Sequence, residues 1–438
     1  MSHRLLRAAG AAAVAVSMIA LSACTSTEGP ATSASVDPNA PVTLTWWTGQ
    51  SDAAEKLLED LAAEFTTLHP NVTIKTSSGA SSTEELLQKL SAGFASGTYP
   101  NISYAFGSWA SELESSGKMQ DITEQVKDPS VGWDEFSQAA RATVQPTGKA
   151  TIGFPALVDN ISLIYNKTVF DNAGLAYPTD QWTWDDFRTA AKQLTDPGKQ
   201  IYGYEYSVSG SEETTWQFWP HLWQNGGKIL TDDQSKSAFA SPEGDAALEF
   251  LRAMAVDDKS VYIDQTDTKF AQLFAADRIA MMTSGPWQLS DLKTAGTKYG
   301  VTILPGTNGD HQTVSGPDIW ALPDSGDANQ NYWSVEFLKW LTAPEQDLRW
   351  NVAYGNLPLR TSEMDTPEFK AQVKELPGLD VMAANSANAV QARPTVQGYV
   401  GLSEAIGSAI SQVLQGKGTP TEALQQAAAK ADQALADQ

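Results

Sequence analysis

From Val42 onward the chain switches repeatedly between two patterns of apolar positions. Val42, Leu44 and Trp46 are apolar at every second residue, with threonines between them. Successive side chains of a strand face opposite ways, so this spacing predicts a half-buried strand. Next, "SDAAEKLLEDLAAEF" sets Leu57, Leu58, Leu61 and Phe65 at helical spacing. Ser51 or Asp52 can cap that helix, and Asp52 with Glu55 has the separation of a capping box. "NVTIKT" predicts a second strand. Ser82 and Glu85 predict the start of a second helix, with Leu86, Leu87, Leu90 and Phe94 on one side. "NISYAF" predicts a third strand, running into "GSW" at Gly107–Trp109. This order predicts a mostly parallel sheet with right-handed crossovers. Ligands of such sheets sit outside the carboxyl ends of the strands, where Trp47 and Trp109 both fall.

The middle of the chain repeats the logic less regularly. "ISLIYN" reads as a strand. "WTWDDFRTAAKQLT" and "SPEGDAALEFLRAM" read as amphipathic helices, the second with Pro242 at its first position behind Ser241. "RIAMMTSGPW", "YGVTILPG" and "DIWALP" are strand-like pieces bounded by glycine and proline. Thr419, Pro420 and Glu422 mark the start of a last helix. "ETTWQFWPHLW" places Trp216, Trp219 and Trp223 on one helix face. A core stripe explains that spacing equally well, and is the preferred reading for Trp223.

Composition narrows the class. At 438 residues the chain is long enough for two domains or two lobes. A formal net charge of −23 repels phosphate backbones, so nucleic acid is excluded as a partner. The N-terminus changes the picture further. Arg4 and Arg7 precede an uncharged, mostly apolar run from Ala8 to Ala23, too short to span a membrane and suited to a signal peptide over residues 1–23. It ends in "LSAC", whose Cys24 is the sole cysteine, so no disulfide can form within the chain. "LSAC" resembles a bacterial lipobox, which implies cleavage before Cys24 and lipid on its sulfur. An ordinary signal peptide cut at a nearby small-residue site is the competing reading. Residues 24–41, rich in Ser, Thr, Ala and Pro, read as a flexible tether.

Three blocks carry a family resemblance. "IGFPALVDNISLIYNKTVFDNAGL" followed by "WTWDDF" is the first, and "KFAQLFAADRIAMMTSGPWQLSDLK" followed by "YGVTILPG" is the second. "EFLKWLTAPEQ" followed by "GNLPLR" is the third. In order and spacing they resemble the extracellular solute-binding proteins of ABC importers, in the carbohydrate-binding group that includes maltose-binding protein. The resemblance implies an α/β periplasmic-binding-protein-like fold with two discontinuous lobes around a ligand cleft. Lobe 1 is expected from residues 42–157 and 305–338. Lobe 2 is expected from residues 158–304 and 339–438, with the last helices able to pack back on lobe 1. Hinge crossings are expected near Ala156–Asn160, Leu304–Gly306 and Trp333–Trp340. The implied function is capture of a sugar or oligosaccharide and its delivery to permease subunits. The implied state is a monomer, lipid-anchored on the extracellular face of a Gram-positive type membrane. No cofactor or metal is expected.

Sugars show flat C–H faces and hydroxyl rims, so their sites need aromatic plates and planar polar groups. The resemblance makes Trp287 of "SGPW" the leading plate, since the matching tryptophan stacks on ligand in maltose-binding relatives. It places Asp159 at a ligand-contacting acid, with Asn160 beside it, and puts Trp216 and Trp219 among ligand-facing aromatics. Gly316 and Asp318 of "SGPDIW" match a glycine-rich segment at the cleft, although the commoner Gly-Gly pair is absent. Arg360 of "GNLPLR" matches a position that often reaches the cleft. Trp47, Gln50, Asp52, Ser108 and Trp109 are added as residues of loops after strands. Each has a bland alternative: core packing for the tryptophans, a helix cap for Asp52, a salt bridge for Arg360.

Two rival classes are considered. A glycoside hydrolase needs a paired acid and nucleophile or base, and 52 acidic residues always allow such a pair to be imagined. However, no G-x-S-x-G elbow, H-E-x-x-H motif or phosphate-binding loop is present. The second rival is a binding protein for a glycerophosphodiester, a polyol or an iron complex. A phosphate would favour basic residues or helix N-termini, whereas aromatic loops favour sugar.

Overall fold

The opening alternation is realised as strand β1 (Val42–Trp47), with Val42, Leu44 and Trp46 buried and both intervening threonines exposed. The computed structural model describes residues 35–50, 52–80, 83–266, 269–352 and 355–436. The signal segment, Cys24, most of the tether, Ser51, Ser82 and the side chain of Asp52 lie outside the described residues. The next strands in the chain are β2 (Val72–Ser77), β3 (Ile102–Ala105), β4 (Gly153–Leu157), β5 (Ser162–Asn166) and β6 (Tyr204–Ser207). They are followed by β7 (Val261–Asp264), β8 (Met281–Ser284), β9 (Tyr299–Thr302), β10 (Val314–Ser315), β11 (Asp318–Ala321) and β12 (Gln391–Ala392).

The first lobe is built on the sheet β2-β1-β3-β11-β4. Its first three strands are parallel, joined by the helices Asp52–Leu68 and Thr83–Ser96, as the alternating pattern predicts. β11 returns antiparallel between β3 and β4. Trp46 has no exposed surface and meets Trp320 and Phe337 edge-on, each with ring centroids 5.1 Å apart. Edge-to-face packing of this kind adds about 0.5–1.5 kcal/mol beyond the area buried.

The second lobe holds the antiparallel sheet β8-β5-β9 and the parallel pair β6-β7. The unbroken apolar run of β5 is explained by burial on both faces. Leu163 and Tyr165 enter one core, and Ile164 enters a second with Phe270, Phe274 and Leu289. Local signals worked well here. Thr183 and Asp186 form a capping box on Trp184–Leu194, and Ser241 caps Pro242–Arg252 with proline at the first position. The last two helices, Tyr399–Leu414 and Pro420–Ala436, pack on the second lobe's core, and Val400 reaches the first.

Core membership corrects two expected crossings. Leu304 and Val314 both belong to the second lobe's core, while Ile319 belongs to the first. Gly306 is tied to the second lobe by exchanging backbone bonds with Trp182 and Trp184, so the chain crosses at Ser315–Asp318 instead. Trp333–Trp340 lies wholly on the first lobe. The later passage occurs around Trp350–Leu359, where Trp350 and Leu359 pack in the first lobe and Val352 and Leu357 in the second. The chain first passes from one core to the other between Leu157 and Ile161.

Candidate functional site

Two of these crossings bring polar groups together. The Gly316 N–H donates to Asp159 Oδ1 at 3.0 Å, and Ser315 Oγ donates to the Asp159 carbonyl at 2.8 Å. A Cβ at Gly316 would sit 2.8 Å from Asp159 Oδ1, 3.0 Å from Arg393 Nη2 and 3.3 Å from the Trp216 ring. That convergence, rather than turn geometry, is why a glycine is needed here. Two residues on, at the start of β11, Asp318 accepts the Tyr104 hydroxyl at 2.5 Å and the Gly107 N–H at 3.1 Å.

Arg393 links the acids. Its Nη1 lies 2.9 Å from Glu212 Oε1, its Nη2 lies 3.9 Å from Asp318 Oδ1, and its guanidinium sits 5.8 Å from the Trp216 ring centre. Glu212, at the start of helix Glu212–Gln224, also accepts the Tyr399 hydroxyl at 3.1 Å and the Ser403 hydroxyl at 2.5 Å. Burial pushes Asp159 well above the carboxylate range. Repulsion from Asp318 adds to this, and Arg393 opposes it. Burial likewise pushes Asp318 up to about 6, with Arg393 and the Tyr104 hydrogen bond holding it down. Although burial works against its charge, Arg393 is held more firmly protonated than usual by Glu212, Tyr399 and Asp318.

Next to these charges lies an aromatic face. The Trp216 and Trp287 rings are stacked, 5.6 Å between centroids and 25° between planes. Both are half-buried, and the Trp216 indole N–H is buried without a hydrogen-bond partner. Trp287 opens the helix Trp287–Thr294 directly after "SGP", and its ring folds back over Gly285, where a Cβ would collide with it. A cavity of about 350 Å³ reaches this cluster at Glu212, with residues of both lobes on its walls. Ser108, Trp109 and Glu112 line it from the first lobe, and Glu212 and Ser403 from the second. Among the described residues, the Ser108 hydroxyl is buried with no partner. Unpartnered buried donors of this sort are uncommon in folded proteins.

The structure thus brings Asp159, Trp216, Trp287, Gly316 and Asp318 into one cluster, with Ser108 and Trp109 on the adjoining cavity. In the first loop, Gln50 donates its N–H to Thr48 Oγ1 at 3.3 Å. Trp47 is half-buried with the Lys89 ammonium 4.5 Å from its ring centre, and that ammonium is bonded to the Gly79 carbonyl. One face of Trp47 is therefore already covered.

Three expected site residues turn out to be structural. Asn160 is fully buried, donating to the Met382 carbonyl at 2.8 Å and Ser386 Oγ at 3.1 Å, with Asn385 donating back at 3.3 Å. Its amide is spent on holding the crossing to helix Leu379–Asn385. Trp219 is fully buried in the second core and donates its N–H to Tyr399 Oη at 3.1 Å. Arg360 is buried in the first lobe, bonded to the carbonyls of Thr342 and Val131 and stacked on Phe136. Conversely, the sequence reading missed Tyr104, Glu212, Arg393, Tyr399 and Ser403. The Arg-Pro dipeptide at Arg393 was the one local signal, since a residue before proline is held extended.

Among the described residues, no group of three or more His, Cys, Asp or Glu side chains is arranged to hold a metal ion, and no helix is long and apolar enough to cross a membrane. The family model for bacterial extracellular solute-binding proteins matches residues 60–378, well over half of the chain. The chain is 24% identical over 366 residues to the sn-glycerol-3-phosphate-binding periplasmic protein of Yersinia enterocolitica, covering 79% of this chain and 82% of that protein. An ABC transporter solute-binding protein from Thermotoga lettingae, solved with α-D-tagatose, superposes with a TM-score of 0.80 at 28% identity, covering 90% of this chain and 99% of that one. The cyclic α-maltosyl-1,6-maltose binding protein of Arthrobacter globiformis superposes with a TM-score of 0.75 at 24% identity, covering 91% and 100%. The chain belongs to the bacterial extracellular solute-binding protein family, and is a non-enzymatic receptor of an ABC importer with the α/β periplasmic-binding-protein fold.

Proposed function

We propose that the protein captures a neutral sugar, oligosaccharide or closely related polyol between its lobes and delivers it to the importer's permease. The observation that carries this reading is the stacked Trp216–Trp287 face, with its unpartnered indole N–H, beside the carboxylates and guanidinium gathered at Gly316. The rings would receive the C–H face of a sugar, while Asp159, Asp318 and Arg393 would meet its hydroxyls. Ser108 and Trp109 would extend contacts from the first lobe, and Trp47 and Gln50 are offered by the end of β1 and the loop that follows it. The lobes would close by bending at the crossings. The tagatose-bound and maltose-related neighbours agree with this ligand class.

The glycerol-3-phosphate-binding relative supplies a second reading. Charge weighs against it. A phosphate would face the carboxylates of Asp318 and Glu212, and the nearby Arg393 is already paired with Glu212. A thermal-shift panel separates the two. A saccharide present at about a thousand times its Kd should raise stability by about 4 kcal/mol. Stabilisation by glycerol-3-phosphate or a glycerophosphodiester alone would overturn the sugar reading.

We also propose that Cys24 carries lipid, holding a monomer on the extracellular face of a Gram-positive type membrane. "LSAC" at the end of the apolar segment supports this. Cys24→Ser should move the protein from the membrane fraction to the medium. Unchanged membrane retention would contradict it.

A further inference from the structure

The cluster at Gly316 is unbalanced in charge. It contains three carboxylates, Asp159, Asp318 and Glu212, and among the described residues one cation bonded to them, Arg393. Asp159 and Asp318 are each 5% exposed and Arg393 is 9% exposed. The groups facing the two aspartates come from every neighbouring element. Tyr104 comes from β3, Glu212 from helix Glu212–Gln224 and Arg393 from the segment after β12, while Tyr399 of helix Tyr399–Leu414 lies behind them on Glu212. None of these except Arg393 carries positive charge. Glu212 takes the short contact with Arg393, leaving one long contact for two aspartates. Two buried carboxylates cannot share so little compensation and both stay ionised.

Hydrogen bonding decides which aspartate keeps the charge. Asp318 accepts from the Tyr104 hydroxyl and from the Gly107 N–H, one on each oxygen, and Arg393 lies beyond. Both oxygens are served as a carboxylate's would be. Among the described residues, the Asp159 side chain accepts only the Gly316 N–H, on Oδ1.

We infer that Asp159 is a carboxylic acid at neutral pH, with its proton on Oδ2, and that it serves the ligand as a hydrogen-bond donor while Asp318 remains the acceptor. This rests on the saccharide reading for its use, but not for its existence. A ligand hydroxyl oxygen would meet an O–H at Asp159 and an O⁻ at Asp318, so the pair would select the orientation of hydroxyls around the ring. Binding is then linked to this proton, and affinity for a bound saccharide falls as pH rises through the titration of Asp159, by up to about tenfold per pH unit.

The sign for stability is the same. An acid held above its unfolded value contributes stability that is complete below the ordinary carboxylate range and lost as pH rises through the folded value. Both aspartates lie above that range, Asp318 at about 6.

The test needs no ligand. With Glu363→Gln in every chain compared, to remove another carboxyl held protonated at neutral pH, infrared difference spectra of the full chain at neutral pH should show a carboxylic-acid C=O band that is lost with Asp159→Asn. In Asp318→Asn the band should persist at neutral pH but titrate at lower pH than with Asp318 intact, because burial is the main cause holding Asp159 protonated and repulsion from Asp318 adds to it. Persistence of the same band in Asp159→Asn would overturn the inference, as would its absence with both aspartates intact. Should Asp159→Asn fail to fold, Asp318→Asn decides alone: a band that titrates at lower pH than with Asp318 intact supports the assignment, and an unmoved titration overturns it. Titration with D-tagatose and maltotriose across pH is a separate arm. If neither binds while the band behaves as expected, the saccharide reading fails and the proton assignment stands.

Discussion

The chain buries two arginines among acids, and the two sites differ in what surrounds them. In the first lobe, Arg360 lies 3.5 Å from Glu363 Oε1, beside the buried Asp347. Its own donors are taken up by the fold, although both Glu363 carboxyl oxygens are buried without a hydrogen-bond partner among the described residues. Its donors reach the Thr342 and Val131 carbonyls, and Asp347 accepts from Asn351 at 2.5 Å and from the Leu359 N–H at 2.9 Å. Arg393 is also buried and paired, but it lies where segments from both lobes meet. Beside it are an unpartnered indole N–H, a stacked aromatic face and, through Glu212, a cavity of about 350 Å³. Burial and shifted ionisation are common to both sites and so do not identify function. Buried polar atoms without a partner occur at both, on Glu363 and on Trp216. What separates them is the stacked aromatic face and the cavity that reaches Glu212, and those features point to the second.

Several substitutions sharpen or break this contrast. The largest effect should come from Arg360→Ala, which leaves Glu363 and Asp347 buried without their cation and should cost about 3–5 kcal/mol of stability in denaturant unfolding. Saccharide affinity of the fraction that folds should be unchanged. A large affinity loss without destabilisation would move Arg360 back to the cleft. Next is Trp287→Ala, expected to weaken saccharide binding by about 2 kcal/mol, roughly thirtyfold, in calorimetric titration. Its thermal midpoint without ligand should barely move. A smaller effect concerns pH. Burial and the Asp347 carboxyl push Glu363 up to about 10. Stability from this group is therefore complete below its ordinary value of 4.5 and lost as pH climbs toward about 10. Glu363→Gln should flatten that alkaline decline in thermal midpoints, and an unchanged slope would contradict the assignment. The smallest effect should come from Trp47→Ala. With Lys89 across one face, that ring has at most one face for ligand, and about 1 kcal/mol or less of binding should be lost.

Much of this fold is local, and local features were legible. Alternation placed Trp46 in the core, and cap residues set the helices beginning at Trp184 and Pro242. Trp287 was legible because its plate sits on a short contiguous motif, with the glycine that lets the ring fold back two residues earlier. Arg393 and Glu212 were not. They are separated by 181 residues and meet only through the tertiary fold. Glu212 on its own reads as an acid in a helix's first turn, where the dipole favours one anyway. Asn160 and Arg360 misled for the opposite reason. A polar residue at a conserved-looking motif can be consumed by backbone carbonyls, as both are, and composition does not distinguish that from a side chain facing a cleft.

The measurement that bears most directly on the cleft assignment is calorimetric titration of wild type and Trp287→Ala with the saccharide that most stabilises the wild type. The predicted result is about thirtyfold weaker binding in the variant, with an unchanged thermal midpoint in the absence of ligand. Equal affinity in a folded Trp287→Ala protein would contradict the placement of the ligand against Trp216 and Trp287.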